Sequence, residues 1–197
     1  MPLTKQAKTM NMTMERSILT HLETTRHPLR NRVMLLLSVK AGLRAKEIAQ
    51  LKWSMITDAE GNLGEALHLV NTVAKGRHGG RVIPFNKDLR AALAVLKTET
   101  GERVRPETTV ISSERGGPMS AITVTNWFFN LYKELGLEGC SSHSGRRTFA
   151  TRAAKAIIGA GGSLKDVQEL MGHSSLAMTQ RYIQGSEGAK RRVVDAI

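Results

Sequence analysis

Apolar residues recur at helical spacing along most of this chain, and the pattern changes period in one stretch, between residues 66 and 85. There the segments ALHLVNTV (66–73) and GRVIPF (80–85) have the length and composition of β-strands. Glycines in the intervening AKGRHGG supply a turn, so the strands are expected to pair as an antiparallel hairpin rather than within a βαβ array. The sequence therefore predicts a mainly α domain of the α+β class with a small antiparallel β-sheet.

The other periodic segments predict helices, several of them bounded by residues that start or stop a helix. Gly42 is placed to end the second helix, Asn86 to cap the fourth, and Ser163 with Asp166 is close to a capping box. A further short strand is expected at residues 109–112. The predicted helices cover residues 12–22, 30–41, 44–51, 86–97, 120–135, 145–158, 163–171, 175–182 and 187–197.

The charge of the chain restricts its partners. Lys and Arg number 29 against 17 Asp and Glu, which gives a net charge of +12. Such an excess favours a nucleic-acid partner, although a ribosomal or simply soluble basic protein shares it.

The single cysteine, Cys140, excludes an internal disulfide framework and a Cys-rich zinc site. The first residues lack the apolar core of a signal peptide and the apolar run 33–39 is too short to span a bilayer, so we expect a cytoplasmic protein without a membrane partner.

One stretch, residues 140–182, contains a set of side chains that packing alone does not explain. His143 and Arg146 are spaced to point at one site from a helix start, and His173 lies in the turn MGHSS, nine residues before Tyr182. Two histidines and an arginine can surround the non-bridging oxygens of a phosphodiester, while a tyrosine hydroxyl attacks its phosphorus. The stretch SLKDVQELMGHSSLAMTQRY is also compatible with a helix-turn-helix, so a non-catalytic DNA-binding regulator is an alternative.

The chain has two tyrosines, and their contexts differ. Tyr132 is spaced relative to Phe128 and Leu135 as a core residue, which leaves Tyr182 as the candidate nucleophile. A phenol has an ordinary pKa of about 10 and needs nearby arginines to stabilise its anion and the transition state. Such a site needs no metal, and no cluster of carboxylates occurs near these positions, so we expect no metal and no cofactor.

Two distant cations are candidates for the same site. Arg44 stands at a helix start, where a bound phosphate favours both the helix and the guanidinium, although an exposed arginine is the commoner interpretation. Lys75, in the hairpin turn, is either solvated or delivers a proton to a leaving oxygen. Arg77, His78 and Arg81 share the hairpin and are candidates for contacts with DNA phosphates.

The strings AGLRAKEIAQLKW, VAKGRHGGRVIPF, HSGRRTFAT and LMGHSSLAMTQRY resemble, in order and separation, the four landmark segments of the tyrosine recombinase (phage-type integrase) family. Each is weak alone, but together they cover residues 30–185. The resemblance implies a helical catalytic domain at residues 12–185, with Glu47 supporting the site. It maps the family's catalytic set onto Arg44, Lys75, His143, Arg146, His173 and the nucleophile Tyr182.

The resemblance implies that Tyr182 cleaves double-stranded DNA, leaving a 3′-phosphotyrosyl link and a free 5′-hydroxyl, without ATP. It makes Lys75 the general acid, while Arg44 and Arg146 hold the phosphate. His143 assists proton movement, and His173 bonds a non-bridging oxygen. It also implies homo-oligomers on DNA, in a tetrameric synapse. A topoisomerase of type IB, which relaxes DNA, is an alternative with the same chemistry.

The chain departs from the family's pattern at two places. Gly145 and Arg147 stand where the family's HxLRH motif has Leu and the second His, from which we expect altered packing but an intact site. No N-terminal DNA-clamping domain is recognised, so the chain is either a minimal recombinase or a fragment. Residues 1–11 are expected to be loose and residues 186–197 to form a tail helix that docks in cis or in trans. Arg147 and Arg181 complete the predicted DNA contacts.

Overall fold

The computed structural model describes residues 6–73 and 80–182. Its main elements are helices around one small sheet, with short 3₁₀ turns at Trp53–Met55 and Gly101–Arg103. In chain order they are α1 (Met12–Glu23), α2 (Pro28–Ala41), α3 (Ala45–Gln50), β1 (Ala66–Leu69), β2 (Arg81–Pro84), α4 (Lys87–Thr100), α5 (Ala121–Glu134), α6 (Ser144–Ala156), α7 (Leu164–Met171) and α8 (Leu176–Gln180).

The second helix, α2, forms the centre of the molecule and packs against α1, α4 and α6. Its apolar side chains occupy nearly the whole circumference, the pattern expected of a helix that is enclosed by protein. The residues from Val33 to Leu37 are almost completely buried. A smaller apolar cluster, around Ala150, Val167 and Met171, holds α6 against α7. The predicted catalytic residues Arg44, Arg146 and His173 thus lie at the ends of α3, α6 and α7, which are packed helices of the domain.

The predicted hairpin is confirmed. β1 and β2 pair antiparallel, and the inward positions Leu67 and Ile83 lie opposite each other and are buried. The first strand ends at Leu69, earlier than predicted, and the chain then turns. The strand expected at residues 109–112 is reduced to isolated bridges, in which Thr109 pairs with Lys52 and Ser112 pairs with Pro118.

The predicted helices between residues 12 and 182 are all present, with ends within three residues of the prediction, and local capping fixes several of these ends. Asn86 accepts a hydrogen bond from the amide of Asp88, and Ser163 and Asp166 form the expected capping box. Gly42 ends α2 in the left-handed conformation, at φ +65°. The predicted helix at 187–197 and the hairpin turn at 74–79 lie outside the described residues.

Residues 6–11, the described part of the N-terminal segment, make ordered contacts where a loose segment was predicted for residues 1–11. The amide of Lys8 donates to the carbonyl of Gly139 over 2.9 Å, and that of Met10 donates to Thr148 Oγ1 over 2.8 Å. Met10 is 4% exposed and belongs to the core. Arg147 and Arg152 on α6 bind the carbonyls of Ala7 and Met10. The segment is therefore held along α6 by contacts far apart in the sequence. In the described part of the chain, no helix combines the length and apolarity needed to cross a membrane.

Candidate active site

Arg146 joins the three segments that carry the predicted catalytic residues. From the first turn of α6 its guanidinium donates to the carbonyl of Gly42, over 2.5 Å, and to that of Met171, over 2.6 Å. The residue is 5% exposed. Arg44 and His173 each follow one of these carbonyls by two residues. Arg146 therefore brings together the start of α3, the start of α6 and the end of α7.

Glu47 holds Arg44 at the start of α3. Its Oε2 accepts the backbone amide of Arg44 over 2.8 Å, and its Oε1 accepts the Arg44 guanidinium over 2.9 Å. A carboxylate in the first turn also opposes the positive end of the helix dipole, which offsets the cost of an arginine there. The prediction that Glu47 supports the site agrees with this geometry.

Arg81 faces inward, which contradicts its prediction as a DNA contact. Its guanidinium donates to both carboxylate oxygens of Glu47 at 3.0 Å and to the carbonyl of Leu170 at 2.8 Å. All three guanidinium nitrogens of Arg81, Nε, Nη1 and Nη2, are thus engaged by Leu170 and Glu47, which gives the residue a structural role. The strand period contained the signal, because Arg81 shares the inward face of β2 with the buried Ile83. Arg81 ties the base of the hairpin to α3 and α7.

Among the described residues, the centre of the site carries more positive than negative charge. Arg146 Nη1 lies 3.9 Å from Glu47 Oε2, so this one buried carboxylate faces three guanidiniums. Burial acts to raise the pKa of Glu47, but hydrogen bonds and charge from Arg81 and Arg44 outweigh it and hold the pKa below its ordinary value. Burial and the nearby Arg44 lower the pKa of Arg146 to about 9, which leaves it charged at neutral pH. A phosphodiester is the kind of group that would balance this excess.

His173 lies between this charged centre and Tyr182. It is 8% exposed, its Nδ1 lies 2.9 Å from Thr179 Oγ1, and its ring stacks on that of Tyr182 with centroids 5.8 Å apart. Burial, followed by the charges of Arg146 and Arg44, lowers the pKa of His173 to about 4. His173 is therefore a neutral imidazole near pH 7.

Tyr182 is half-buried and opens onto a cavity of about 360 Å³. The exposed His143 lines the same cavity, as do Arg147 and Arg181. Arg147 is partly engaged, because it also binds the carbonyl of Ala7 in the N-terminal segment. The predicted DNA contacts Arg147 and Arg181 thus lie beside the predicted nucleophile. Lys75, Arg77 and His78 lie outside the described residues.

Tyr132 is a core residue, as predicted. It is 2% exposed, its ring stacks on Phe128 with centroids 5.9 Å apart, and burial raises the pKa of its hydroxyl. Within residues 6–73 and 80–182 its hydroxyl has no hydrogen-bonding partner. Tyr132 is thus enclosed by the core, away from the cavity that Tyr182 lines.

Close helix packing explains why position 145 is a glycine, which the sequence alone did not reveal. A Cβ placed on it would lie 2.2 Å from Ser38 Oγ and 2.8 Å from Ser38 Cβ on α2. Helices α2 and α6 therefore approach each other more closely here than a leucine would allow. This agrees with the expectation of altered packing around an intact Arg146.

The described residues include no group of three or more His, Cys, Asp or Glu side chains that could hold a metal ion. The positive charge that the described residues bring together comes from arginine side chains.

Comparison with known proteins gives a consistent family. The profile of the phage integrase family matches residues 8–188. The tyrosine recombinase XerC of Bacillus licheniformis is 32% identical over 170 residues, which cover 83% of this chain and 52% of that protein. XerC of Myxococcus xanthus is 30% identical over 176 residues, covering 85% of this chain and 54% of its own. The chain thus spans about half the length of the curated relatives that it matches.

Solved structures share the fold. A Tn1549 transposon integrase in complex with a circular intermediate DNA has a TM-score of 0.75 at 21% identity, covering 98% of this chain and 67% of that one. A lambda integrase dimer bound to a COC′ core site has a TM-score of 0.65 at 26% identity, covering 90% of this chain and 48% of that one. The architecture of α1 to α8 is accordingly that of the catalytic domains of tyrosine recombinases.

Proposed function

Since the chain belongs to the phage integrase family, we propose that it carries the catalytic part of a site-specific recombinase that cleaves and rejoins double-stranded DNA. The observation that carries this proposal is the position of Tyr182. Its ring stacks on His173, which lies beside the cluster of Arg44, Arg81 and Arg146, of which Arg81 and Arg146 are buried. A phenol next to a set of arginines is suited to attack on a phosphodiester.

The charged centre binds the scissile phosphate. Arg44 and Arg146 hold its non-bridging oxygens, while the ionised Glu47 keeps the guanidiniums in place. The neutral His173 donates one further hydrogen bond to a non-bridging oxygen. These groups are fixed before DNA arrives, so they stabilise the charge of the transition state without rearrangement.

Cleavage exchanges one phosphoester bond for another. The Tyr182 oxygen attacks the phosphorus and its proton passes to His143, while the bond from phosphorus to the 5′ oxygen breaks. Lys75 gives its proton to that leaving oxygen. The products are a 3′-phosphotyrosyl link and a free 5′-hydroxyl, so attack by another 5′-hydroxyl reverses the step without ATP.

Exchange between two duplexes requires four strand cuts. Each copy of the chain supplies one Tyr182, so we propose that four copies assemble on two DNA duplexes. We further propose that residues 12–185 form the catalytic unit and that residues 186–197 form a tail that docks on the same or a neighbouring copy. A dimer of lambda integrase on its core site is a precedent for assembly on DNA.

The function is tested by covalent capture of DNA. A pool of duplexes with randomised arms and a nick beside the cleavage position traps the adduct, because the short cleaved fragment diffuses away. We expect the wild-type protein to form a detergent-resistant protein–DNA adduct, whose sequenced DNA identifies the recognised site.

The matched variants are Tyr182→Phe, which should abolish the adduct, and Tyr132→Phe, which should retain it because Tyr132 is a core residue. An adduct that survives in Tyr182→Phe would refute the assignment of the nucleophile. DNA binding without any adduct would favour the regulator, and relaxation without strand exchange would favour the topoisomerase.

The role of Lys75 has its own test on the captured site. Lys75→Ala should slow cleavage by about 10²-fold or more, the scale of a lost general acid. A substrate whose 5′ leaving oxygen is replaced by sulfur should restore the rate, because a thiolate leaves without a proton. Failure of sulfur to restore cleavage would remove Lys75 from this role.

A further inference from the structure

The hydroxyl of Thr179 is directed to a histidine side chain, unlike the hydroxyls of Thr125 and Thr148 in other helices. Thr125 and Thr148 donate back to the carbonyls four residues earlier, over 2.9 and 2.7 Å. Thr179 is fully buried in the last turn of α8, and its hydroxyl instead lies 2.9 Å from His173 Nδ1. Among the described residues the Thr179 hydroxyl has no other partner.

This contact determines which ring nitrogen carries the proton. A buried hydroxyl hydrogen needs an acceptor, and here the acceptor within reach is Nδ1 of His173. Nδ1 can accept only if it has no hydrogen, and a neutral imidazole then carries its hydrogen on Nε2. Within the described residues Nε2 has no hydrogen-bonding partner, so its N–H remains available to a ligand.

The surroundings of the His173 ring favour its neutral form. His173 is nine-tenths buried, and the described charged groups that act on it are the guanidiniums of Arg146, Arg44 and Arg81, all of which oppose protonation. A neutral ring has one N–H, so its position decides whether His173 can donate to a phosphate oxygen.

We propose that Thr179 is a positioning residue, which holds the proton of His173 on Nε2 and so makes the histidine a donor to the scissile phosphate. The inference rests on the proposed function. Thr179 also lies three residues before the nucleophile, and its carbonyl accepts the amide of Tyr182 over 3.0 Å. One residue thus fixes both the donor and the turn that carries the attacking oxygen.

Thr179→Val tests the proposal, because it removes the hydroxyl and keeps the shape. It leaves Nδ1 as a buried acceptor without a donor, so we expect single-turnover adduct formation on the captured DNA to fall about ten- to hundredfold. The Kd for the same DNA, measured in a Tyr182→Phe background, should change by less than about threefold. Thr179→Ser should restore the rate, and Thr125→Val is the matched control.

The second arm asks whether Thr179 acts through His173. In a His173→Ala background, Thr179→Val should cause no further loss, whereas an independent structural role would add its full effect. Thermal unfolding of each variant shows whether it is folded. Equal adduct rates for Thr179→Val and the wild type would overturn the proposal, and so would additive losses.

The third arm measures the tautomer without DNA. Nitrogen-15 spectra of the histidine side chains, with His173 assigned by its absence in His173→Ala, should show the proton on Nε2 in the wild-type protein. A proton on Nδ1 would overturn the proposal directly. Because this measurement does not depend on cleavage, a wild type that forms no adduct contradicts the recombinase function alone.

Discussion

Among single residues, Glu47 is the one whose negative charge stabilises a cluster of three arginines. Its carboxylate is 1% exposed and binds Arg44 and Arg81, with Arg146 at 3.9 Å. Without it, three neighbouring guanidiniums would lose the carboxylate that they share. Mutual repulsion would then favour unfolding or displace Arg44 from the site.

Replacing Glu47 with Gln should therefore be severely destabilising. Removal of one partner from a buried ionic pair costs about 3–5 kcal/mol, so the free energy of unfolding in urea should fall by that amount. The control is Glu65→Gln, because Glu65 is 86% exposed in its ion pair with Arg90 and should lose only about 0–1 kcal/mol. Equal effects of the two substitutions would contradict the central role of Glu47.

His173 should make stability depend on pH. Its pKa is lowered to about 4 in the folded protein, by burial and by the charges of Arg146, Arg44 and Arg81, from an ordinary value of 6.5. The unfolded chain thus takes up a proton at a pH where the folded protein does not, so unfolding becomes easier as the pH falls. The contribution is complete above pH 6.5 and is lost progressively down to about pH 4.

The measurement is the unfolding free energy of the wild type and His173→Asn across this range. Asparagine keeps an acceptor for Thr179 but does not titrate. The wild type should lose stability relative to the variant between pH 6.5 and 4. Curves that stay parallel would show that another group is responsible.

At the scale of elements, the contact between α2 and α6 decides where Arg146 stands. Gly145 lies directly against Ser38, so any side chain at position 145 pushes the start of α6 away from α2. Arg146 is the next residue in the sequence, and it depends on the close approach of α6 to α2 to reach the carbonyls of Gly42 and Met171. Gly145, which sets the packing of the two helices, is thus the sequence neighbour of Arg146 in the proposed site.

Gly145→Ala should lower the free energy of unfolding by about 1–3 kcal/mol, the usual cost of overpacking. It should also slow adduct formation, because Arg146 moves with the helix start. Gly117→Ala is the control, since a Cβ there meets no atom within 4 Å. A neutral Gly145→Ala would mean that Ser38 yields without moving α6.

Local signals explain which elements could be predicted from sequence. Some helix ends are set by hydrogen bonds to near neighbours in the sequence, so the local residue types predict them; these are the ends at Asn86, Ser163 and Gly42. Lys8 instead binds Gly139, and Arg81 binds Glu47, across separations that periodicity does not encode. The same difference applies to the site. Residue types and spacing marked Arg146 and His173, and the strand period placed Arg81 on the inward face of β2. The partner of Arg81, Glu47, and the bond from Thr179 to His173 required the fold.

At the scale of the whole molecule, the net charge of +12 should govern how the protein meets DNA. Each phosphate contact releases condensed counterions, so log Kobs falls with log salt by about 0.9 for each contact. The buried Arg81 cannot contribute to this slope, because its guanidinium is occupied by Glu47 and Leu170. The exposed Arg181, on the rim of the Tyr182 cavity, can.

Arg181→Gln should thus reduce the salt slope of DNA binding by about one, and weaken binding similarly on all sequences. The measurement is a titration of labelled duplex at several salt concentrations, in a Tyr182→Phe background so that no adduct forms. Arg103→Gln is the matched control, because this exposed arginine lines a separate cleft beside α4. That cleft has no lining residue in common with the Tyr182 cavity. If Arg103→Gln lowered the slope as much as Arg181→Gln, the charge of the whole surface rather than the rim of the site would hold the DNA.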